Sequence, residues 1–206
     1  MRRMRSLAVA VAISAFMAGP AVDTADAQIA WTVDALVGSS FANIGTTFAA
    51  AGSARIRLND YVSVVGELGV LPWAPYEDAE GIQAPMPTLV ANPDRRVDVY
   101  HFNANAQVDV FGRGRGPGGD RWRPYVTVGM GGFIADSVAS GTLGETDVKT
   151  SRSQTDLATN LGGGVFYRLI DWMDINGDFR TFYLHREGET PRVYRLTAGV
   201  SVLLKR

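Results

Sequence analysis

The chain contains no cysteine among its 206 residues. That excludes disulfides and thiolate metal sites, and it leaves cysteine unable to report the redox compartment. Lysine is nearly missing as well: Lys149 and Lys205 are the only two, and arginine supplies every other basic charge. Water-facing surfaces are ordinarily dressed with flexible, strongly hydrated lysine, so its scarcity argues against a large wet exterior. Charge of one sign is also lacking. A formal net charge of −1 excludes the basic footprint that binds nucleic acid. No apolar run reaches the roughly 20 residues of a spanning helix. From Trp31 onward no stretch has the periodicity of an amphipathic helix.

What is present begins with an export signature. "MRRMR" is a basic opening, "LAVAVAISAFMAG" an apolar stretch, and Ala25, Asp26 and Ala27 form an A-x-A-like cleavage site. Residues 1–27 therefore read as a cleaved secretory signal peptide and 28–206 as the mature domain, starting at Gln28. Glycine is abundant, at 23 residues, as suits many turns and close backbone approaches.

The mature chain alternates with period two in eight segments. In "WTVDALVGS", Trp31, Val33, Ala35 and Val37 oppose Thr32, Asp34 and Gly38. In "FAAAGSARIRLN", Ala54, Ile56 and Leu58 oppose Arg55, Arg57 and Asn59. "YVSVVGELGVL" sets Val62, Val64, Leu68 and Val70 against Ser63, Glu67 and Gly69. The cleanest case is "VDVYHFNANAQVDVF", where Tyr100, Phe102, Ala104, Ala106, Val108 and Val110 alternate with His101, Asn103, Asn105, Gln107 and Asp109. "RPYVTVGMGGFIAD", "TDLATNLGGGVFYRL", "MDINGDFRTFYL" and "RVYRLTAGVSVLL" follow the same rule.

Connections alternate too. Tight "ND" (Asn59, Asp60) and short "IDW" (Ile170 to Trp172) contrast with long polar stretches over 72–96 and 136–153. Stretches after the first and seventh segments are intermediate, and "GRGRGPGGDRWR" is longer than an ideal short turn.

The polar faces decide which side is wet. They carry Asn, Gly, Ser, Thr, Gln, Asp and Arg, with no lysine except at the chain's last residues. The pattern predicts an inverted cylinder: an all-β, eight-stranded antiparallel up-and-down transmembrane barrel with apolar residues toward lipid. Five acids (Asp34, Glu67, Asp109, Asp174, Asp178) then meet four bases (Arg55, Arg57, Arg180, Arg195) in a narrow lumen. Near balance is required there, because an unpaired buried charge costs several kcal/mol. Eight strands close around an interior that side chains fill, so a plugged core is expected. Trp31, Trp122, Tyr167 and Trp172 fall at one set of strand ends, and Trp73, Tyr100, Tyr183 and Tyr194 at the other, as two interfacial girdles.

The signal peptide, the eight segments and the closing "LGGGVFYRLIDWMDINGDFRTFYL…YRLTAGVSVLL" resemble the small bacterial outer-membrane β-barrel superfamily of opacity-type, OmpA-type and OmpX-type proteins. The resemblance covers 28–206 and is one of pattern, without a diagnostic motif. It implies a cell outer-membrane protein without enzymatic activity or cofactor, with envelope-structural or loop-mediated surface roles. Its implied partners are outer-membrane lipids, lipopolysaccharide and the barrel assembly machinery, with no nucleic acid and an unidentified extracellular ligand. Such barrels end on an aromatic residue that assists assembly, whereas this chain ends Leu203, Leu204, Lys205, Arg206, a weaker or different signal.

Two rival functions are weighed against specific residues. A lipid A- or phospholipid-modifying barrel would use His101, since "HFNAN" resembles the His-x-Ser pair of lipid A deacylase barrels. Asn103 stands at the serine's position, however, and an amide is no nucleophile. An OmpW-like hydrophobic-solute conduit would need an apolar lumen, against the charged inward residues. His185 reads as a solvated loop residue, and "DINGD" (Asp174 to Asp178) as strand, because it keeps two-residue alternation where a calcium loop needs a tight turn. "GRGRGPGG" (Gly112 to Gly119) lacks the context of a phosphate loop. Glu77, Asp78 and Glu80 offer carboxylates for divalent cations that bridge lipopolysaccharide, but they read first as a solvated charge run. No catalytic, cofactor or metal residue is assigned.

Overall fold

The computed structural model describes residues 31–42, 45–72, 91–112, 121–143, 146–186 and 190–205. Among these run eight strands: β1 (Trp31–Ala42), β2 (Gly45–Arg57), β3 (Val62–Leu71), β4 (Ala91–Asp109), β5 (Trp122–Leu143), β6 (Thr146–Ile170), β7 (Met173–His185) and β8 (Arg192–Lys205). Each pairs antiparallel with its sequence neighbour, and β1 pairs with β8 to close the barrel. Closure gives every backbone group in the ring a partner, which a sheet in hydrocarbon requires.

The alternation maps onto the two faces as the inverted reading demands. Val126, Leu161, Ile175 and Val200 are 52%, 57%, 40% and 40% exposed, whereas Asp178 and Arg195 are 2% and 1% exposed. A barrel built for water would show the reverse. Glycines on the inner face make room for large neighbours. A Cβ on Gly69 would strike the His101 ring, and one on Gly164 would come within 2.6 Å of the Tyr125 hydroxyl.

One end of the barrel carries two tight turns. Asn59 Oδ1 accepts from the backbone N–H groups of Tyr61 and Val62, each at 2.8 Å, which folds the chain between β2 and β3. β6 and β7 are joined by Asp171 and Trp172 alone, beside a register shift between Arg168 and Ile170. At this turn end Trp122 pairs with Tyr167, with ring centres 4.7 Å apart. Toward the other end Tyr194 lies between Phe41 and Phe179, at 6.2 and 6.4 Å. Trp73 lies outside the described residues, as do residues 1–30, the loop acids Glu77, Asp78 and Glu80, and 113–120 of the glycine-rich segment.

Three expectations about connections need correction. Residues 136–153 are not a long loop: β5 runs to Leu143 and β6 starts at Thr146, so the stretch is a paired hairpin. The same holds for the end of 72–96, since β4 starts at Ala91. The interval after β1 is no intermediate loop either, because only residues 43–44 separate it from β2. Above the lipid both faces of a strand can be polar, so apolar alternation, the feature that identifies strands within the membrane, is missing there. Lys149 accordingly sits in β6, within a strand rather than beyond one.

Candidate functional site

Two features stand out, the packed lumen and a sheet that outgrows the ring. In the middle of the lumen, Glu67 from β3 receives a two-pronged contact from Arg195 of β8: Nη1 to Oε1 at 2.8 Å and Nη2 to Oε2 at 3.0 Å. Arg180 of β7 lies 3.2 Å from the same carboxylate and 2.9 Å from Asp178. Asp178 also accepts from the Tyr125 hydroxyl at 2.6 Å. Two carboxylates and two guanidiniums, all buried, thus neutralise one another. Such pairs are tolerable in a low-dielectric interior only when they are hydrogen-bonded this closely.

His101 belongs to this layer. Its Nε2 lies 3.2 Å from Arg195 Nη1, and a guanidinium can only donate, so Nε2 carries the lone pair. Nδ1 then bears the hydrogen, with the Asn103 amide 3.0 Å away and Glu67 Oε1 at 3.8 Å. Asn103 serves best with its amide oxygen turned toward Nδ1. The ring packs against both Phe133 and Phe182, at 5.3 and 5.8 Å between centres, and those two rings lie 5.1 Å from each other, so the three form a triangle. His101 is therefore tied to an arginine, an amide and two aromatic rings. His185 is the last residue of β7 rather than a free loop side chain; its Nε2 lies 3.0 Å from Thr159 Oγ1. Asp174 and Asp178 both lie on β7, so "DINGD" is strand as expected.

At the turn end the inward acids and bases expected from the sequence also meet, in pairs that the sequence did not specify: Arg55 with Asp34 at 3.3 Å and Arg57 with Asp109 at 2.9 Å. The residue that sequence reasoning missed is Arg123, which pairs with Asp174. Arg168 approaches the same carboxylate at 3.7 Å. Both arginines fall in the inward register of their strands, two residues before Tyr125 and two after Phe166, so counting by twos could have found them. Arg186 with Asp156, at 2.5 Å, adds an uncounted pair at the other end.

The lumen is not polar throughout. Leu71, Val97, Val99, Phe133, Phe182 and Leu184 are all buried in one cluster on the side away from the turns. Val97, Val99, Phe182 and Leu184 share the inward register with His101 or Arg180, and the apolar layer was legible there. Among the described residues no cluster of three or more carboxylate or histidine groups could hold a metal ion.

Beyond this apolar layer, among the described residues, β4, β5 and β6 continue past the ends of β3 and β7. β3 stops at Leu71, opposite Val99, and β7 reaches β6 only at Leu157. β5 and β6 nevertheless stay paired from Phe133↔Asp156 to Leu143↔Thr146, about 35 Å of strand. Among the described residues, nothing pairs with the far edge of β6 from Thr146 to Thr155.

A family model described as "Outer membrane protein beta-barrel domain" matches residues 8–202. The crystal structure of a major outer membrane protein from Thermus thermophilus aligns with a TM-score of 0.60 at 13% identity, covering 85% of this chain and 99% of that one. Ail, the attachment invasion locus protein of Yersinia pestis, aligns with a TM-score of 0.50 at 12% identity, covering 86% and 98%. Neisserial surface protein A gives 22% identity over 84% and 96%, with a TM-score of 0.48. At these identities the structural likeness concerns the fold alone. No curated protein sequence matches the chain.

Proposed function

Because this chain belongs to the outer membrane protein β-barrel domain family and resides in the bacterial outer membrane, we propose that it is a non-enzymatic surface-interaction protein. Its working part is the edge of the sheet that outruns the ring. The observation behind this reading is that, among the described residues, nothing pairs with the edge of β6 from Thr146 to Thr155. A free strand edge offers a row of backbone N–H and C=O groups to an extended segment of another protein, which can add to the sheet as a further strand. Hydroxyl side chains dominate this stretch (Thr146, Thr150, Ser151, Ser153, Thr155), and Lys149 and Arg152 punctuate it. Such a surface suits polar, reversible contact better than collapse.

In this reading the short turns face the periplasm and the long hairpin faces outward, as in other bacterial barrels. Residues 1–27 leave as a signal peptide, the barrel assembly machinery inserts residues 28–206, and lipopolysaccharide surrounds the outward half. The lumen is closed to solutes, a conclusion supported by the buried ionic layer and the aromatic and aliphatic layer stacked upon it.

Trimming the β5–β6 hairpin tests the proposal. Ala135 faces Gln154, so the two strands can be joined there through an Asn-Gly turn. The trimmed barrel is expected to keep the compact mobility of an unboiled outer-membrane barrel on a denaturing gel, and to lose adhesion of expressing cells to protein-coated surfaces. Undiminished adhesion by correctly folded trimmed protein would remove the edge from the account.

A further inference from the structure

Charge on the β6 edge between Thr146 and Thr155 is confined to Asp147, Lys149 and Arg152, all of them exposed. Asp147 and Lys149 lie two apart and project from the same face of the sheet. Their direct partners across the hairpin are Thr142 and Ser140, both neutral. Val148 faces Gly141 and Thr150 faces Ala139. β5 therefore sets no charge opposite the acid or the base.

Such a stretch is complementary to itself. Two copies laid antiparallel about a twofold axis at Val148 set Asp147 opposite Lys149 of the second copy, and Lys149 opposite its Asp147. Thr146 and Thr150 meet in the same reciprocal way, and Val148 meets Val148. Neighbouring registers lack this match. An axis at Asp147 or Lys149 opposes like charges, and one at Thr150 or Ser151 opposes no charged pair. An axis between two residues pairs odd with even positions, which point to opposite faces, so the pleat excludes it.

The direction of pairing places the second copy. Two barrels in one membrane share an outward direction, so their β6 strands run the same way and would lie parallel. Antiparallel edges require barrels that face each other from opposed membranes. The register suits that arrangement, because it uses only Thr146 to Thr150, the end of β6 nearest the hairpin tip. Two hairpins then overlap at their tips and keep the membranes apart.

We propose that the partner of the β6 edge is the same edge of a second copy on an opposing cell. This rests on the surface-interaction role above and names its partner. A single contact of this size is weak, since exposed ion pairs contribute little, but many copies on two facing membranes act together.

The test uses cells without long surface polysaccharide, labelled in two colours, each population displaying one form of the barrel at equal outer-membrane level. Wild-type cells are expected to cluster, and cells displaying the barrel trimmed at Ala135 and Gln154 to stay dispersed. The informative variant exchanges the charges, Asp147→Lys with Lys149→Asp. Both positions are exposed, the net charge is unchanged, and the edge is again self-complementary, so these cells are expected to cluster among themselves. Against wild type the variant sets acid on acid and base on base, so the two colours are expected to sort into separate clusters. Merely sticky hairpins would give mixed ones. The proposal is overturned by dispersed wild-type cells, by clustering of the trimmed form, by dispersal of the exchanged variant alone, or by mixed clusters. Dispersed wild-type cells whose adhesion to protein-coated surfaces still depends on the hairpin would overturn self-pairing alone and leave the surface-interaction role standing.

Discussion

Arg195→Leu is expected to lower the stability of the folded barrel by about 3–5 kcal/mol, the usual cost of removing one member of a buried charge pair. Arg195 is 1% exposed and holds both oxygens of Glu67, while its Nη2 stands 3.6 Å from Asp178. Without it, two buried carboxylates share the single guanidinium of Arg180. Leucine preserves much of the packing against Phe182, whose ring centre is 5.2 Å from the guanidinium carbon, so the loss is chiefly electrostatic. Adding Glu67→Gln separates charge from shape. That double variant returns the layer to one acid and one base, Asp178 with Arg180, and is expected to recover most of the lost stability. The pairwise energy follows from a double-mutant cycle using urea unfolding in phospholipid vesicles. An unchanged midpoint in Arg195→Leu would mean that its side chain is not in the lumen.

The reading from sequence succeeded where one physical rule governs every residue. Inside the membrane each outward side chain meets hydrocarbon and each inward one meets the opposite wall, so "YHFNANAQVDV" can be sorted by twos, and the structure follows that sorting from Tyr100 to Asp109. The rule stops at the membrane surface. In "TDVKTSRSQT" neither face is apolar, so the alternation vanishes although the backbone remains strand, and a hairpin reads as a loop. The ion pairs were legible as a population of charges on one face, but their partners depend on cross-strand register, which pattern does not determine. Arg123 illustrates this: it sits next to Trp122 at the very start of β5, where alternation has barely begun, yet it pairs with Asp174. Phe133 and Phe182 show the converse error. Reading the inner face as uniformly polar hid an apolar layer that seats the His101 ring.

Placing arginine at three depths along the outer face of β5 tests the inverted cylinder directly. Val128 is 56% exposed and pairs with Ala106 and Leu161, about midway between the Trp122–Tyr167 contact and the level of Tyr100. Val128→Arg must put a cation where the surroundings are acyl chains, so a loss of about 2–4 kcal/mol is expected, with about 0–1 kcal/mol near the interface. Trp122→Arg samples that interface, and Val138→Arg samples the hairpin beyond the lipid, where the charge stays hydrated and the cost should be near zero. The depth profile carries the argument more than any single value. A water-soluble barrel would accept arginine equally at all three outward sites, because each would already face solvent. A membrane barrel instead gives a peak at Val128 that falls away on both sides, measured by reversible unfolding in vesicles. The profile should also sharpen in thinner-chain lipid, where Trp122 comes closer to the headgroups and is relieved while Val128 stays in hydrocarbon. A flat profile would place Val128 in water and return the apolar face to an unexplained surface.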